Sequence, residues 1–167
     1  MRMNASLMGP SDLIAIRQYL DRAGVEHWID GGWAVDALIG GSQTRPHQDL
    51  DLVIPMSSVD AAIKALRTVG FEIDEDQRPV AFTMTDGDGR KVDFHPVVWD
   101  QNGEGMQSQL DGGNWRYPAH GFAGFGRVAG QPVRCLTADV QILCHAGYDL
   151  DEADLHDLEL LRSIQER

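Results

Sequence analysis

Residues 49–54 read Asp-Leu-Asp-Leu-Val-Ile, and this alternation constrains the fold more than any other stretch of the chain. On a strand, side chains two residues apart project from the same face, about 7 Å apart along the chain. Asp49 and Asp51 therefore aim together, while Leu50 and Leu52 enter a core. Two carboxylates with heads about 5 Å apart repel by roughly 3 kcal/mol at an effective dielectric of 20. A fold tolerates that where the acids face water, share a proton or share a cation. Hard oxygen ligands at this spacing suit Mg2+, which also brings substrate phosphates.

Helical and strand patterns interleave around this segment. Ser11 is placed to cap a helix on which Leu13, Ile16, Leu20 and Ala23 recur at helical spacing, with Gly24 as its C-terminal cap. Val25 to Asp30 reads as a short buried strand, broken by Gly31-Gly32 before a helix from Trp33 to Ile39 that Gly40-Gly41 closes. Ser57 to Asp60 resembles a capping box, opening a helix with Val59, Ile63 and Leu66 on one face and Gly70 at its end. Phe71–Asp74, Val80–Thr85 and Lys91–Val98 are strand-like, and Asp-Gly-Asp-Gly at 86–89 signals a hairpin between the last two. Residues 100–126 hold seven glycines, with Trp115, Tyr117, Phe122 and Phe125 and no clear period. They read as a long loop, a form uncommon in compact domains unless it binds something. Val128–Leu136 reads as another hairpin or strand. Thr137 caps a short helix through Cys144, and Asp151 caps a last one carrying Leu155, Leu158, Leu161 and Ile164. The interleaving predicts an α/β domain spanning 1–167, one sheet with helices packed on it.

The glycine pair ahead of the acids has a matching use. A strand, Gly-Gly and a helix let the backbone approach a phosphate and set a helix N-terminus against it. Arg45 and His47 are candidate phosphate partners, with Arg suited to bidentate contact. Alone, a Gly-Gly is usually a turn and an Asp-x-Asp a solvated strand face; the combination and its order are far more specific. A third acid is wanted, and Asp93 lies mid-strand among apolar neighbours in Lys91-Val92-Asp93-Phe94-His95-Pro96. It is either an edge-strand acid pointing to water or a third metal ligand that takes the proton from an attacking hydroxyl. His95 shares its face, to orient Asp93 or substrate, or as a hydrogen-bonded, partly buried histidine.

Charge narrows the partners. Fourteen Lys and Arg stand against 26 Asp and Glu, a net charge of -12. Without a basic run, a nucleic-acid substrate is disfavoured. The acidic surface suits a cationic small molecule or simply confers solubility. No apolar run approaches the ~18 residues of a membrane span, and the first residues lack a leader's apolar core, so a cytoplasmic protein is expected. Cys135 and Cys144 cannot make a disulfide framework and read as buried free thiols.

The pattern of Gly-Gly, Asp-x-Asp and a later Asp resembles the nucleotidyltransferase superfamily of polymerase-beta-like fold. Trp28-Ile29-Asp30-Gly31-Gly32-Trp33-Ala34-Val35-Asp36, followed by Thr44-Arg45-Pro46-His47-Gln48-Asp49-Leu50-Asp51, is similar to the antibiotic nucleotidyltransferases. The small lincosamide enzymes are nearest and the aminoglycoside enzymes a step further. Val92–Pro96, Gly112-Gly113-Asn114 and the segment from Ala138 to Asp157, with His145 to Leu150 inside it, support the lincosamide branch. The resemblance implies a mixed sheet with the acids at one end. Asp49 and Asp51 would hold Mg2+, as a pair of ions, and Asp93 would be ligand and general base. Gly31, Gly32, Arg45 and His47 would hold the triphosphate of ATP or another nucleotide. Asp36 would be a substrate contact or an internal helix anchor, and Trp115 and Tyr117 would line the acceptor pocket or pack. The implied activity is transfer of a nucleoside monophosphate to a hydroxyl of a small-molecule antibiotic, a lincosamide first and an aminoglycoside second, in a possible homodimer. A non-catalytic nucleotide-binding or antitoxin-like module is the alternative of another class, and metal-dependent hydrolysis is disfavoured by the absence of a hydrolase-spaced ligand set.

Overall fold

The structure is a computed structural model and describes residues 7–165. Residues 1–6, part of the stretch without a leader-like core, lie outside the described residues. In chain order the elements are α1 (Pro10–Arg22), β1 (Trp28–Asp30), α2 (Gly31–Leu38), β2 (Leu50–Pro55), α3 (Val59–Arg67), β3 (Glu72–Gln77), β4 (Ala81–Thr85) and β5 (Lys91–Trp99). There follow β6 (Gly105–Ser108), β7 (Asn114–Tyr117), β8 (Gly124–Val128), β9 (Gln131–Cys135), α4 (Ala138–Cys144) and α5 (Glu152–Gln165). No helix among the described residues is long and apolar enough to cross a membrane.

The strands form one mixed sheet in the order β3-β4-β5-β2-β1-β9-β8, with the β6–β7 hairpin attached to the far end of β5. The β2–β5 and β1–β9 pairs are parallel; β1–β2 is antiparallel. Leu50, Leu52 and Ile54 leave β2 on one face, as the alternation requires, and pack with Val92, Phe94, Met84 and Ile29. Leu13 and Leu20 of α1, Trp33 of α2 and Leu66 of α3 complete that core. On the other face Trp28, Val53 and Val97 join Tyr117, Leu136 and Val140 in a smaller cluster. The expected single mixed sheet with helices packed on it is thus the architecture observed.

Several boundaries differ from expectation for local reasons. Gly9, not Ser11, caps α1: Pro10 takes the first helical position, which its fixed φ suits, and Asp12 accepts from the Gly9 N–H at 2.9 Å. Gly31-Gly32 does not interrupt the chain ahead of α2 but forms its first turn, with Asp30 as cap. No capping box opens α3; a 3-10 turn over Met56–Ser58 leads into it, and Ser58 makes no side-chain bond. Asp151 does cap α5, in a reciprocal pair of bonds with Asp154 at 2.8 and 3.0 Å. Cys135 is buried as expected, whereas Cys144 is only partly so.

The largest difference lies in residues 100–126, which are not one long loop. They supply β6, β7, a 3-10 turn over Ala119–Ala123 and most of β8. Four-residue strands separated by glycine turns carry too few repeats for a period to show. β8 and β9 then pair around Ala129-Gly130, both at positive φ (50° and 75°), a backbone that suits a tight hairpin turn.

Helix α2 approaches β8 so closely that a Cβ on Gly126 would strike the Ala37 carbonyl. The same closeness sets the height of α2 over the sheet, and with it the position of its N-terminus. Gly126→Ala should destabilise the fold by about 1–3 kcal/mol, the usual cost of forcing bulk into a packed contact. Urea unfolding of the variant measures it.

Candidate active site

Strand register builds the site. Asp30 on β1 pairs with Asp51 on β2, Asp51 with Asp93 on β5, and Asp93 with Thr83 on β4. Directly paired residues share a face, so these side chains stand in a row across four strands. One position along each strand pair, two residues further, comes the row of Trp28, Val53 and His95. His95 turns its Nε2 back to the acids, 3.4 Å from Asp51 Oδ1 and 3.7 Å from Asp93 Oδ2. Atoms of Asp51, Asp93 and His95 all lie within 4.8 Å of one another, a grouping that can hold a metal ion. Because β5 is flanked by β4 and β2, Asp93 is not an edge-strand acid. Asp49 stands one residue before β2 and outside that group, close enough to Asp93 to feel its charge.

The electrostatics match the crowding. Burial pushes the Asp51 carboxyl up, Asp49 and Asp93 add to the shift, and His95 opposes it. Burial and the Asp93 charge raise Asp49 as well. His95 is pulled down by burial, yet Asp51, Asp93 and Asp30 outweigh that and raise it. Asp30 was not singled out from sequence as a site residue, although an Asp ahead of a glycine-led helix is a capping signature. Its Oδ1 accepts from the Gly31 N–H at 2.8 Å.

The glycine pair is shaped by what presses on it. Gly31 has φ +65°, and a Cβ there would run into the Asp51 carboxylate. A Cβ on Gly32 would meet the Arg45 guanidinium and the His47 ring. Arg45 is itself gripped by Asp157 of α5, Nε to Oδ1 at 3.0 Å and Nη2 to Oδ2 at 2.7 Å, a fork that fixes the guanidinium beside Gly32. His47 is 2% exposed, its Nε2 2.6 Å from Asp36 Oδ2. Asp36 is fully buried and also accepts from the Thr44 N–H at 3.1 Å and hydroxyl at 2.5 Å, while His156 Nε2 reaches that hydroxyl at 2.9 Å. Asp36 and His47 therefore brace the cradle from behind, out of reach of a ligand. Of the residues expected at the triphosphate, Gly31, Gly32 and Arg45 face the cleft beside Asp51.

On the other side of His95 the β6–β7 hairpin supplies a wall. Gln107 Nε2 lies 3.1 Å from His95 Nδ1 and donates to the Val80 carbonyl at 2.9 Å, and the Tyr117 hydroxyl donates to Gln107 Oε1 at 2.7 Å. The Val80 carbonyl orients the amide, so its NH2 faces the histidine ring. Tyr117 is thereby a buried support, whereas Trp115 is only partly buried at the lip. Asp30, His95, Gln107, Gln109, Trp115, Tyr117 and Tyr148 are among the residues that border a cavity of about 410 Å³. Tyr148, half exposed, donates to Asp154 at 3.3 Å, and His145 Nδ1 meets the Gln141 carbonyl at 2.7 Å. Gln107 went unnoticed in sequence because it sits in the stretch that read as a loop.

Comparison with known proteins places this geometry among relatives. The profile of the family described as Aminoglycoside-2''-adenylyltransferase matches residues 12–161. A lincosamide resistance protein of Staphylococcus haemolyticus is 29% identical over 153 residues, 92% of this chain and 94% of the relative. A 2''-aminoglycoside nucleotidyltransferase of Klebsiella pneumoniae is 30% identical over 131 residues, 77% of this chain and 69% of the relative. Among solved structures, the lincosamide antibiotic adenylyltransferase LnuA with lincomycin bound superposes with a TM-score of 0.84 at 28% identity, covering 95% of this chain and 99% of its own.

The Asp36 cluster makes a testable contribution to stability. Burial alone raises that carboxyl, but the bonds from His47 and Thr44 outweigh it and hold Asp36 below the usual carboxylate range. A carboxyl depressed in the folded state adds stability that is full above its unfolded value near pH 4 and is lost as pH falls through the folded value. Asp36→Asn should cost about 1–3 kcal/mol at neutral pH, the cost of leaving buried polar partners poorly matched. The gap to the parent should narrow below about pH 4. Urea titrations at several pH values check both.

Proposed function

The chain belongs to the aminoglycoside-2''-adenylyltransferase family and is a nucleotidyltransferase of the antibiotic-modifying kind, and we propose that it transfers AMP from ATP to a hydroxyl of a lincosamide, releasing pyrophosphate. The observation that carries this reading is the aligned pair Asp51 and Asp93 on adjacent strands, with the Asp51 carboxylate set against Gly31 in one small cleft. The acceptor takes the larger cavity beside it, whose border offers aromatic rings, two carboxamides and a single carboxylate, Asp30. That lining suits a hydroxylated ligand with few charges. The aminoglycoside reading is favoured by a second cavity, where Asp49, Asp151 and Glu152 offer acids to a polyamine.

The residues present fit a divalent cation. Asp51 and Asp93 stand side by side, and the ion-pairing partner each finds among the described residues is His95 alone. Two such carboxylates call for positive charge, and their hard oxygens suit Mg2+. Asp51 and Asp93 would hold it, with Asp49 close by. When bound, a pair of such ions neutralises charge at the attacking and leaving oxygens. The chain's own groups do the rest. The amides at the start of α2 and the Arg45 guanidinium hold the triphosphate, and Arg45 cannot swing away because Asp157 clamps it. Asp93 takes the proton from the acceptor hydroxyl, whose oxygen attacks the α-phosphorus in line as the bond to the β-phosphate oxygen breaks. His95, held by Gln107, keeps its Nε2 on the two acids. Catalysis of this kind is mostly positioning and charge stabilisation, so one domain suffices. A second copy of the chain closing the open side of the acceptor cavity belongs to the same reading, and sedimentation of the purified protein checks it.

Incubation with ATP, Mg2+ and a panel of lincosamides and aminoglycosides should give a lincosamide carrying one added AMP, seen by mass spectrometry. No adduct with any compound would overturn the reading. Asp93→Asn should lower kcat by roughly 10²–10⁴-fold, the usual worth of a general base, while ATP affinity changes little. An unchanged rate would remove it as the base. Asp51→Asn should abolish transfer with the fold intact by circular dichroism.

A further inference from the structure

Gln141 on α4 is fully buried, yet neither its Nε2 nor its Oε1 has a hydrogen-bond partner among the described residues. Shielding a donor and an acceptor from water without partners is unfavourable, and an apolar side chain of equal length would avoid it. Stability therefore gives no reason for a carboxamide at this position. The backbone of Gln141 is well fixed: its N–H donates to the Thr137 carbonyl at 2.9 Å, and its carbonyl meets His145 Nδ1 at 2.7 Å. Gln141 is among the residues that border the cleft of about 250 Å³, with Gly31, Gly32, Arg45, Asp51 and His95. It does not border the larger acceptor cavity.

We infer that Gln141 binds the sugar of the donor nucleotide, its carboxamide pairing with ribose hydroxyls. The inference rests on the nucleotidyl-transfer reading above and adds to it a residue and a ligand group. Phosphate oxygens only accept, so a phosphate would satisfy Nε2 and leave Oε1 orphaned. A ribose diol offers both a donor and an acceptor, which matches the two orphaned atoms. The base edge of a purine also offers both, but the ribose is the part of the nucleotide joined directly to the α-phosphate. With the phosphates on Gly31-Gly32 and the reacting phosphorus at Asp51, a residue in that same small cleft meets the sugar first. The carboxamide is then kept at a cost to the empty protein and satisfied when the nucleotide arrives.

The test is a binding cycle on the full chain. The parent and Gln141→Met are titrated by calorimetry, with Mg2+, against the non-hydrolysable α,β-methylene analogue of ATP and its 2'-deoxy and 3'-deoxy forms. The Met variant should melt at the parent's temperature or about 3 °C higher, because two orphaned polar atoms are gone. It should bind the parent analogue about tenfold more weakly, the usual worth of a hydrogen bond of this kind. Loss of the contacted hydroxyl should weaken the parent protein about tenfold and the variant less than twofold. Gln141→Leu, which also removes both polar atoms, enters the same cycle if the Met variant does not fold. The inference is overturned if the variants bind all three ligands as the parent does, or if they lose as much as the parent on removal of each hydroxyl. It is also overturned if their loss follows a change of base, from adenine to hypoxanthine, in place of the sugar. A parent that binds none of these nucleotides would bring down the transfer reading itself, a result distinct from any of these.

Discussion

Register across β1, β2 and β5 is the constraint on which the rest of this structure depends. The period of a strand is two, so a slip of one residue would carry Asp51 into the leucine core and Leu52 out to the cleft. The pairs Asp30–Asp51, Asp51–Asp93 and Leu52–Phe94 hold only in one alignment. Burial of Leu50, Leu52, Val92 and Phe94 enforces that alignment, since each fully buried side chain of this size contributes about 1.5–3 kcal/mol. The unfavourable crowding of carboxylates is thus imposed by hydrophobic pairing on the reverse face.

The cradle is held in a different way, by polar groups brought together from the far end of the chain. Asp157 clamps Arg45 and His156 reaches Thr44, each across 112 positions of sequence. Thr44 and His47 in turn tie down Asp36 inside α2. The last helix therefore helps to build the proposed phosphate site, although no atom of it need touch a phosphate. Every buried ionic group in this network has a partner, as it must where water is excluded.

Much of this was legible in the chain, and what was not has physical reasons. The Asp49–Ile54 alternation identified β2, its core face and its acid face, because period-two patterning reports burial directly. Val92 to Pro96 identified β5 in the same way. Asp36 takes the second of the two roles open to it, an internal anchor, and His47, expected at the triphosphate, is its buried partner: a sequence shows that a residue type fits a role, not which way the side chain turns. Gln107 was missed because a carboxamide carries no distinctive spacing and lies here in the stretch that read as a loop. The hairpin of β6 and β7 was missed because four-residue strands offer no period to read. Pairing between residues far apart in sequence, such as Arg45 with Asp157, leaves no local trace at all.

That hairpin has a double attachment. Its inner side carries Gln107, which orients His95, and its outer residues border the space where an acceptor would lie. On the proposed reading, choice of acceptor and alignment of the histidine are both borne by one short, two-stranded piece of chain. Remodelling that wall to admit a bulkier compound would, on the same reading, disturb the imidazole unless the Val80–Gln107–Tyr117 anchor stayed fixed, which sets acceptor range against the placement of His95. Diversification can escape the conflict only at side chains on the lip, Trp115 foremost, where shape alters while the anchor does not move.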